Sequence, residues 1–179
     1  CMSDRGPDSA GFAVYADGED GAVKLTVHFP ADEDSAKLAA QLGKAIGVKV
    51  SAQKRDTHTV LRLPTAKEME ARTALASIAP HARVVSAGKR MEIYKEVGLP
   101  ADVAKRFDLK SFSATHAIGH TRMATESAVT TNGAHPFTTG RDQCLVHNGS
   151  LSNHASLRRE LKREEIGRAS CRERVYHPV

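Results

Sequence analysis

Two polar clusters in the second half of the chain each follow a short apolar run. The run 117–118 leads to His-Thr-Arg at 120–122, and the run 144–146 leads to His-Asn-Gly at 147–149. Short apolar runs that stop at Gly, Asn and other polar residues predict buried strands that end in loops. Binding groups are often displayed at such strand ends, because the sheet holds them still. We therefore treat the two clusters as candidate binding groups.

Three of these residues have the chemistry needed to hold an α-amino acid. Arg122 has a planar guanidinium whose donors suit a carboxylate. Asn148 has a side-chain amide, and Gly149 has a backbone N–H that a ligand can approach closely. Since a carboxylate clamp and oxyanion donors must reach one small molecule, we expect the three to lie within about 10 Å of one another. Taken singly, each cluster could instead be a turn or a solvated strand end.

Four sequence blocks carry a resemblance to a known enzyme family. They are Gly-His-Thr-Arg-Met-Ala-Thr at 119–125, Ala-His-Pro at 134–136, Val-His-Asn-Gly at 146–149 and Arg-Gly-Pro-Asp-Ser-Ala-Gly at 5–11. With these blocks the chain resembles class II (N-terminal-nucleophile) glutamine amidotransferases. The likeness is greatest to the amidotransferase subunit of glutamate synthase and N-methylglutamate synthase-type enzymes.

The resemblance implies a reaction and assigns roles to residues. In the family, an N-terminal Cys thiol attacks the side-chain amide of glutamine, a thioester forms, and ammonia passes to a synthase subunit. The matching positions are, for catalysis, Asn148, Gly149 and Arg5, and, for substrate binding, Arg122, Met123 and Thr125. The expected partners are glutamine and a synthase subunit that accepts ammonia. The resemblance implies no cofactor and no metal.

Departures from the family pattern concern the nucleophile and the substrate pocket. Cys1 lies only four residues before Arg5, a span of at most about 14 Å, whereas the family places a strand and a helix there. Cys1 is therefore either a chance residue at a truncation or the nucleophile of a shortened variant, whose α-amine could act as its base. Glu126 stands where some relatives have His, and the family's pocket Asp would fall beyond Glu164. We expect this chain, as written, not to hydrolyse glutamine, although its intact parent does.

Two other functions remain open from the sequence. A catalytically inactive protein that only binds glutamine would keep Arg122 while lacking the nucleophile. A histidine-rich metal-binding protein is the second alternative, because histidines occur at 116, 120, 135, 147 and 154. Histidines four residues apart can share a metal on a helix. Ile118 and Gly119 favour a strand instead, in which His116 and His120 would be about 13 Å apart.

Composition favours a folded domain and argues against nucleic-acid and membrane partners. The 179 residues are 40% hydrophobic, which favours a folded domain over disorder. The net charge of +5 is spread along the chain and aromatic residues make up only 4%, so we expect no nucleic-acid partner. No apolar run approaches the roughly 18 residues of a membrane span, so we expect no membrane partner. The three cysteines have no pairing pattern and no signal peptide is apparent, which favours the reducing cytoplasm.

Hydrophobic patterns predict a mixed α+β chain. Residues 22–87 follow a β-α-β-β-α-β order, which is ferredoxin-like, and we interpret them as an insertion. The resemblance implies that the other blocks form a four-layer αββα sandwich of the N-terminal-nucleophile type, with stacked, mainly antiparallel sheets. The expected division is an incomplete amidotransferase domain at 1–21 and 88–164, the insertion at 22–87, and a non-native tail at 165–179 that resembles a translated sequencing adapter.

Individual elements follow from periodicity and capping signals. Helical spacing of apolar residues predicts helices over 34–46, 65–78, 99–107 and 153–162. Alternation or short apolar runs predict strands over 11–15, 23–29, 48–51, 58–63, 83–86 and 91–97. Thr65 and Glu68 have the spacing of a capping box, which predicts that the second helix begins at Thr65.

Overall fold

The computed structural model describes residues 6–30, 32–124, 128–149, 153–163, 169–170 and 173–174. The strands are β1 Ser9–Tyr15, β2 Ala22–His28, β3 Ser51–Arg55, β4 His58–Pro64, β5 Arg83–Gly88, β6 Met91–Val97, β7 His116–Arg122, β8 Phe137–Gly140, β9 Gln143–Leu145, β10 Ala169–Ser170 and β11 Glu173–Arg174. The α-helices are α1 Ser35–Ile46, α2 Glu68–Ile78, α3 Pro100–Arg106 and α4 His154–Arg163, with short 3₁₀ turns at Thr65–Lys67 and Leu109–Ser111.

The first sheet has β1 at its centre, with β6 and β7 paired antiparallel on either side. Alternate residues of β1 point to opposite faces. One face presents Phe12 to an aromatic cluster formed with Tyr94, Phe107 and Phe112, whose ring centroids lie 5.7–6.0 Å from that of Phe12. This face is covered by α3 and the turn after it. The opposite face carries the candidate site.

The second sheet has four antiparallel strands in the order β3-β4-β2-β5. Two helices, α1 and α2, pack beside each other and bury their apolar stripes in its core, which includes Leu25, Leu42 and Leu61 with no exposed surface. Asp34 caps α1 by accepting hydrogen bonds from the N–H groups of the first turn. Gly47 ends α1 in the left-handed conformation, with φ of 71°.

The hairpin of β8 and β9 packs where the four-stranded sheet leads into the three-stranded sheet. Its turn residue Asp142 accepts hydrogen bonds from the backbone N–H groups of Lys89, Arg90 and Met91, at 2.7–2.8 Å, where β5 passes into β6. Arg141, beside it, forms a 2.7 Å ion pair with the buried Glu68 of α2. Both contacts fix the end of the hairpin against the four-stranded sheet.

At the level of fold class the sequence-based expectation is confirmed, because the chain is a mixed α+β fold with several antiparallel sheets. The βαββαβ order expected for residues 22–87 is found in the elements from β2 to β5. The strand β6 has the predicted bounds, and α1 begins one residue after the start predicted for it and ends at the predicted residue.

Several local expectations were wrong. The third strand begins at Ser51 instead of Val48. Thr65 begins a 3₁₀ turn and makes no capping box, because Glu68 is buried and forms ion pairs with Arg72 and Arg141 instead. The strands β7 and β9 are not buried along their length. Within the described residues β7 lies at the edge of its sheet and β9 belongs to a two-stranded hairpin. Each is therefore less covered than a strand inside a sheet.

None of the helices in the described part of the chain combines the length and the apolar character that crossing a bilayer requires.

Candidate functional site

Arg122 is the last residue of β7 and is only 4% exposed. Its carbonyl accepts a hydrogen bond from the N–H of Asp8 at 3.1 Å. The Asp8 carboxylate in turn accepts one from the N–H of Ala124 at 2.6 Å. These bonds fix the backbone at and just after Arg122, so the position from which its side chain extends is well defined. Met123, between them, is 54% exposed.

The guanidinium of Arg122 lies against a turn formed by residues 130–134. A Cβ atom at Gly133 would come 3.1 Å from Nη1 and 3.6 Å from Cζ of Arg122. The N–H of Gly133 donates to both the carbonyl and the hydroxyl oxygen of Thr130, at 3.1 Å each, which closes the turn. The absence of a side chain at Gly133 is therefore what lets the guanidinium pack so closely.

Three imidazoles accompany Arg122. His120 lies two residues earlier on the same face of β7, and its ring centroid is 4.4 Å from that of His135. Gly11 on the neighbouring strand makes room for His135, because a Cβ there would come 2.2 Å from the His135 carbonyl oxygen. The third imidazole, from His147, is close enough to both rings to affect their protonation.

The cluster favours neutral imidazoles. Burial, with smaller effects from the charges of His120, Lys95, Arg122 and His147, lowers the pKa of His135 to about 3. Burial also lowers the pKa of His120, assisted by His147 and Arg122. Burial therefore favours the uncharged forms of His120 and His135 at neutral pH, while Arg122 and Lys95 contribute positive charge nearby. Such surroundings suit an anionic group such as a carboxylate.

Asn148 and Gly149 follow His147 and are exposed. Gly149 adopts a φ of 139°, which side-chain-bearing residues rarely adopt, and a Cβ there would be 3.5 Å from the His147 ring. Arg122 and His147, the residue next to Asn148, both influence the pKa values of His120 and His135 and so lie around the same two imidazoles. Arg5 and Thr125, as well as Cys1 and Glu126, lie outside the described residues.

Sequence reasoning missed Asp8, Lys95 and Gly133 as parts of this site. Asp8 and Gly133 lie within or beside the motif blocks, so their positions were a usable signal. Lys95 had no such signal, since it lies in a strand outside the motif blocks. Its burial depends on the loop that folds over it.

The alternative of a metal site gains no support from the geometry. Across the ranges that the structure describes, no group of three or more His, Cys, Asp or Glu side chains is arranged to hold a metal ion. A separate surface groove of about 510 Å³ lies on the outer helices, lined by Gln41, Lys44, Ala45 and Ile78. It contains no nucleophile or acid–base pair that would make it a catalytic site.

Comparison with known proteins gives a consistent result. No protein-family model matches the chain. The chain is 55% identical over 166 residues to the glutamine amidotransferase-like protein GlxB of Rhizobium meliloti (strain 1021), a match covering 92% of this chain and 55% of the relative. The chain is similar to glutamine amidotransferase-like proteins. It spans little more than half the length of this relative from Rhizobium meliloti.

Shorter matches point the same way. The chain is 38% identical over 76 residues to the glutamine–fructose-6-phosphate aminotransferase (isomerizing) of Bradyrhizobium diazoefficiens, covering 42% of this chain and 12% of the relative. It is 53% identical over 45 residues to the same-named enzyme of Pseudomonas putida, covering 25% of this chain and 7% of the relative. These amidotransferase-like matches do not single out the glutamate synthase type.

Proposed function

We propose that this chain is the glutamine-binding part of a class II glutamine amidotransferase. The observation that carries the proposal is the buried guanidinium of Arg122 at the end of β7, near the imidazoles of His120 and His135. His147, next to Asn148 and Gly149, influences the same two imidazoles. The similarity to a glutamine amidotransferase-like protein supports it. An arginine fixed from both sides is suited to recognise the α-carboxylate of an amino acid.

In this proposal each site residue has one task. Arg122 binds the glutamine carboxylate, while Asn148 and Gly149 donate to the oxyanion that forms when the side-chain amide is attacked. An oxyanion donor of this kind stabilises a transition state by about 3–4 kcal/mol. Met123 and Thr125 line the pocket and Arg5 supports the surroundings of the nucleophile. As in the family that the chain resembles, an N-terminal Cys thiol would attack the amide and form the thioester, and the released ammonia would pass to a synthase partner.

The finer fold assignment belongs to the same proposal. The sheet of β6, β1 and β7 would be one of the two stacked sheets of an N-terminal-nucleophile sandwich. Residues 22–87 would be a ferredoxin-like insertion between two of its strands. Supporting this, β1 and β6 are paired directly, with Tyr15 opposite Met91, so the long segment between them begins and ends at one place.

Binding of glutamine by the purified chain tests the site. Titration calorimetry with L-glutamine should give saturable binding, and Arg122→Lys should weaken it by about tenfold or more, because a point charge cannot replace a bidentate fork. Arg141→Lys is the matched control, since Arg141 pairs with Glu68 at the far end of the β8–β9 hairpin. Equal affinities in parent and Arg122→Lys would remove Arg122 from the site.

Catalysis is tested separately from binding. Glutamate release from glutamine is measured with the chain, with Cys1→Ala and with a longer protein that carries the family's Cys-initiated strand. Release that disappears in Cys1→Ala would make Cys1 the nucleophile. Binding without release in every form would favour an inactive glutamine-binding protein.

A further inference from the structure

We propose that Lys95 is a positioning residue for the Arg122 clamp. In this proposal its buried ammonium fixes the loop 132–136, and that loop fixes the guanidinium. The proposal rests on the proposed function to the extent that it takes Arg122 as the group that binds glutamine. The geometry of the loop itself is independent of that function.

The side chain of Lys95 donates hydrogen bonds to three backbone carbonyl groups of one loop. It lies on β6, is 4% exposed, and faces the same side of the sheet as Gly11 and His120. Its Nζ donates to the carbonyl oxygens of Ala134 at 2.8 Å, Pro136 at 3.3 Å and Asn132 at 3.4 Å. The same Nζ lies 4.6 Å from the centre of the Phe137 ring. Backbone oxygens and a ring face together compensate for removing the ammonium from water.

The ammonium of Lys95 and the guanidinium of Arg122 contact neighbouring residues of the same loop. Gly133 lies between Asn132 and Ala134, whose carbonyls both accept from Lys95. Arg122 packs against the same Gly133. A Cβ atom added at Gly133 would lie 3.1 Å from Nη1 of Arg122. Displacing the loop by even 1 Å would move the wall against which the guanidinium rests. Misplacement of that size is enough to reduce binding and catalysis substantially.

A second anchor holds the loop from the other side of the same strand. Glu96, next to Lys95, is 7% exposed and accepts a hydrogen bond from the hydroxyl of Thr131. Glu96 also accepts from the hydroxyl of Thr57 at 2.9 Å, in the segment between β3 and β4. Adjacent residues of β6 therefore hold the loop through opposite charges. Lys95 is the one of the two that shares a face with Arg122.

The experiment compares Lys95→Met with a matched loss of a buried ammonium elsewhere. Lys24→Met is the control, because Lys24 is 3% exposed and pairs with Glu92 at 2.8 Å without touching the loop. Hydrogen exchange of backbone amides in 128–137 should accelerate by about tenfold in Lys95→Met and not in Lys24→Met. Glutamine affinity should fall by about tenfold in Lys95→Met while the melting temperature falls no further than in Lys24→Met.

A double-mutant cycle separates positioning from general stability. If Lys95 acts through Arg122, adding Lys95→Met to Arg122→Lys should change glutamine affinity by less than about threefold. Fully additive losses would overturn the proposal, as would unchanged exchange in 128–137. If the parent binds no glutamine, the proposed function fails, and the exchange experiment alone decides whether Lys95 orders the loop. Should Lys95→Met not fold, Lys95→Gln, which keeps a donor, replaces it with the same expected directions.

Discussion

At the residue scale, burial gives Arg122 and His135 different charge states in the same corner of the molecule. Loss of hydration lowers the pKa of His135 to about 3, so this imidazole is neutral under ordinary conditions. Arginine keeps its proton in proteins because its pKa lies far above neutrality. The corner therefore has a cation fixed against neutral rings, and small changes in the fit around that cation should matter.

Gly133→Ala should weaken glutamine binding by about threefold to tenfold, because the new methyl group would press on the guanidinium of Arg122. Titration calorimetry measures the change. Gly119→Ala is the control on β7, since a Cβ there would meet nothing closer than 4.0 Å and should leave the affinity within about twofold. An unchanged affinity in Gly133→Ala would indicate that the guanidinium does not need this contact.

The burial of His58 should make the stability of the fold depend on pH in the acid range. Its side chain is fully buried among aromatic rings, and burial, assisted by the charges of His28, Lys95 and Arg106, holds its pKa well below the usual 6.5. The unfolded chain takes up a proton near pH 6.5 that the folded chain does not. Stability from this group is therefore present at higher pH and is lost as pH falls below 6.5.

His58→Phe should reduce the loss of unfolding free energy between pH 7.5 and pH 5 by up to about 2 kcal/mol, the limit for a group of ordinary pKa 6.5 held neutral in the fold. Urea unfolding at both pH values measures it. Above pH 8, parent and variant should differ by a constant amount. A pH dependence identical to that of the parent would mean that His58 does not contribute.

At the element scale, the hairpin of β8 and β9 is positioned by its turn. Asp142 adopts a positive φ of 56°, a conformation that Asp tolerates better than most residues. Its carboxylate accepts three backbone N–H bonds from the β5–β6 connection, and Gly88 leaves it room. The hairpin in turn leads into the segment that carries Asn148 and Gly149.

Asp142→Ala should lower the free energy of unfolding by about 2–3 kcal/mol, because three N–H groups lose a charged acceptor. Asp142→Asn should cost less, since it keeps one acceptor oxygen. Urea unfolding measures both. Asp17→Ala is the control, as its exposed carboxylate makes only a 3.7 Å ion pair with Arg90 and should change stability by less than about 0.5 kcal/mol. A similar loss in both variants would argue against the role of the turn.

At the scale of the whole molecule, the apolar cores differ in how far apart their residues lie in the sequence. Among the described residues, the core of the four-stranded sheet is built from residues between Val23 and Ala87. The core beside β1 also includes Val60, which lies on β4 of the four-stranded sheet. Lys24 and Glu92 form a further ion pair across the boundary. The apolar core between the four-stranded sheet and its helices is therefore formed within one segment, whereas the core beside β1 uses residues from both sheets.

A peptide of residues 20–89 should fold alone, with dispersed amide resonances and a cooperative urea transition, because its core lies within it. The same peptide with Leu42→Asp should be unfolded, since this side chain has no exposed surface in the core. The division of the chain into an insertion and a second domain would lose its support if the unsubstituted peptide gave no cooperative transition.

The sequence by itself determined the features that depend on neighbouring residues. The helix α1 follows from its apolar spacing, the cap at Asp34 and the left-handed Gly47, all within one short segment. The bounds of β6 agree with the extended segment expected at 91–97, and Arg122 lies at the end of a strand as expected. Local hydrogen bonds and side-chain periodicity are encoded within a few residues, so a single sequence is enough to predict them.

The tertiary structure alone decided which charges are buried and what they touch. Lys95 becomes a buried anchor because Gly11, far away in sequence, lets the loop at His135 come down onto the sheet. Glu68 leaves its expected capping role because Arg141, which lies 73 residues away, supplies a partner. Pairing energies between distant residues outweigh a local preference of about 1 kcal/mol. Such contacts exist only once the chain has folded, so no local pattern in the sequence can predict them.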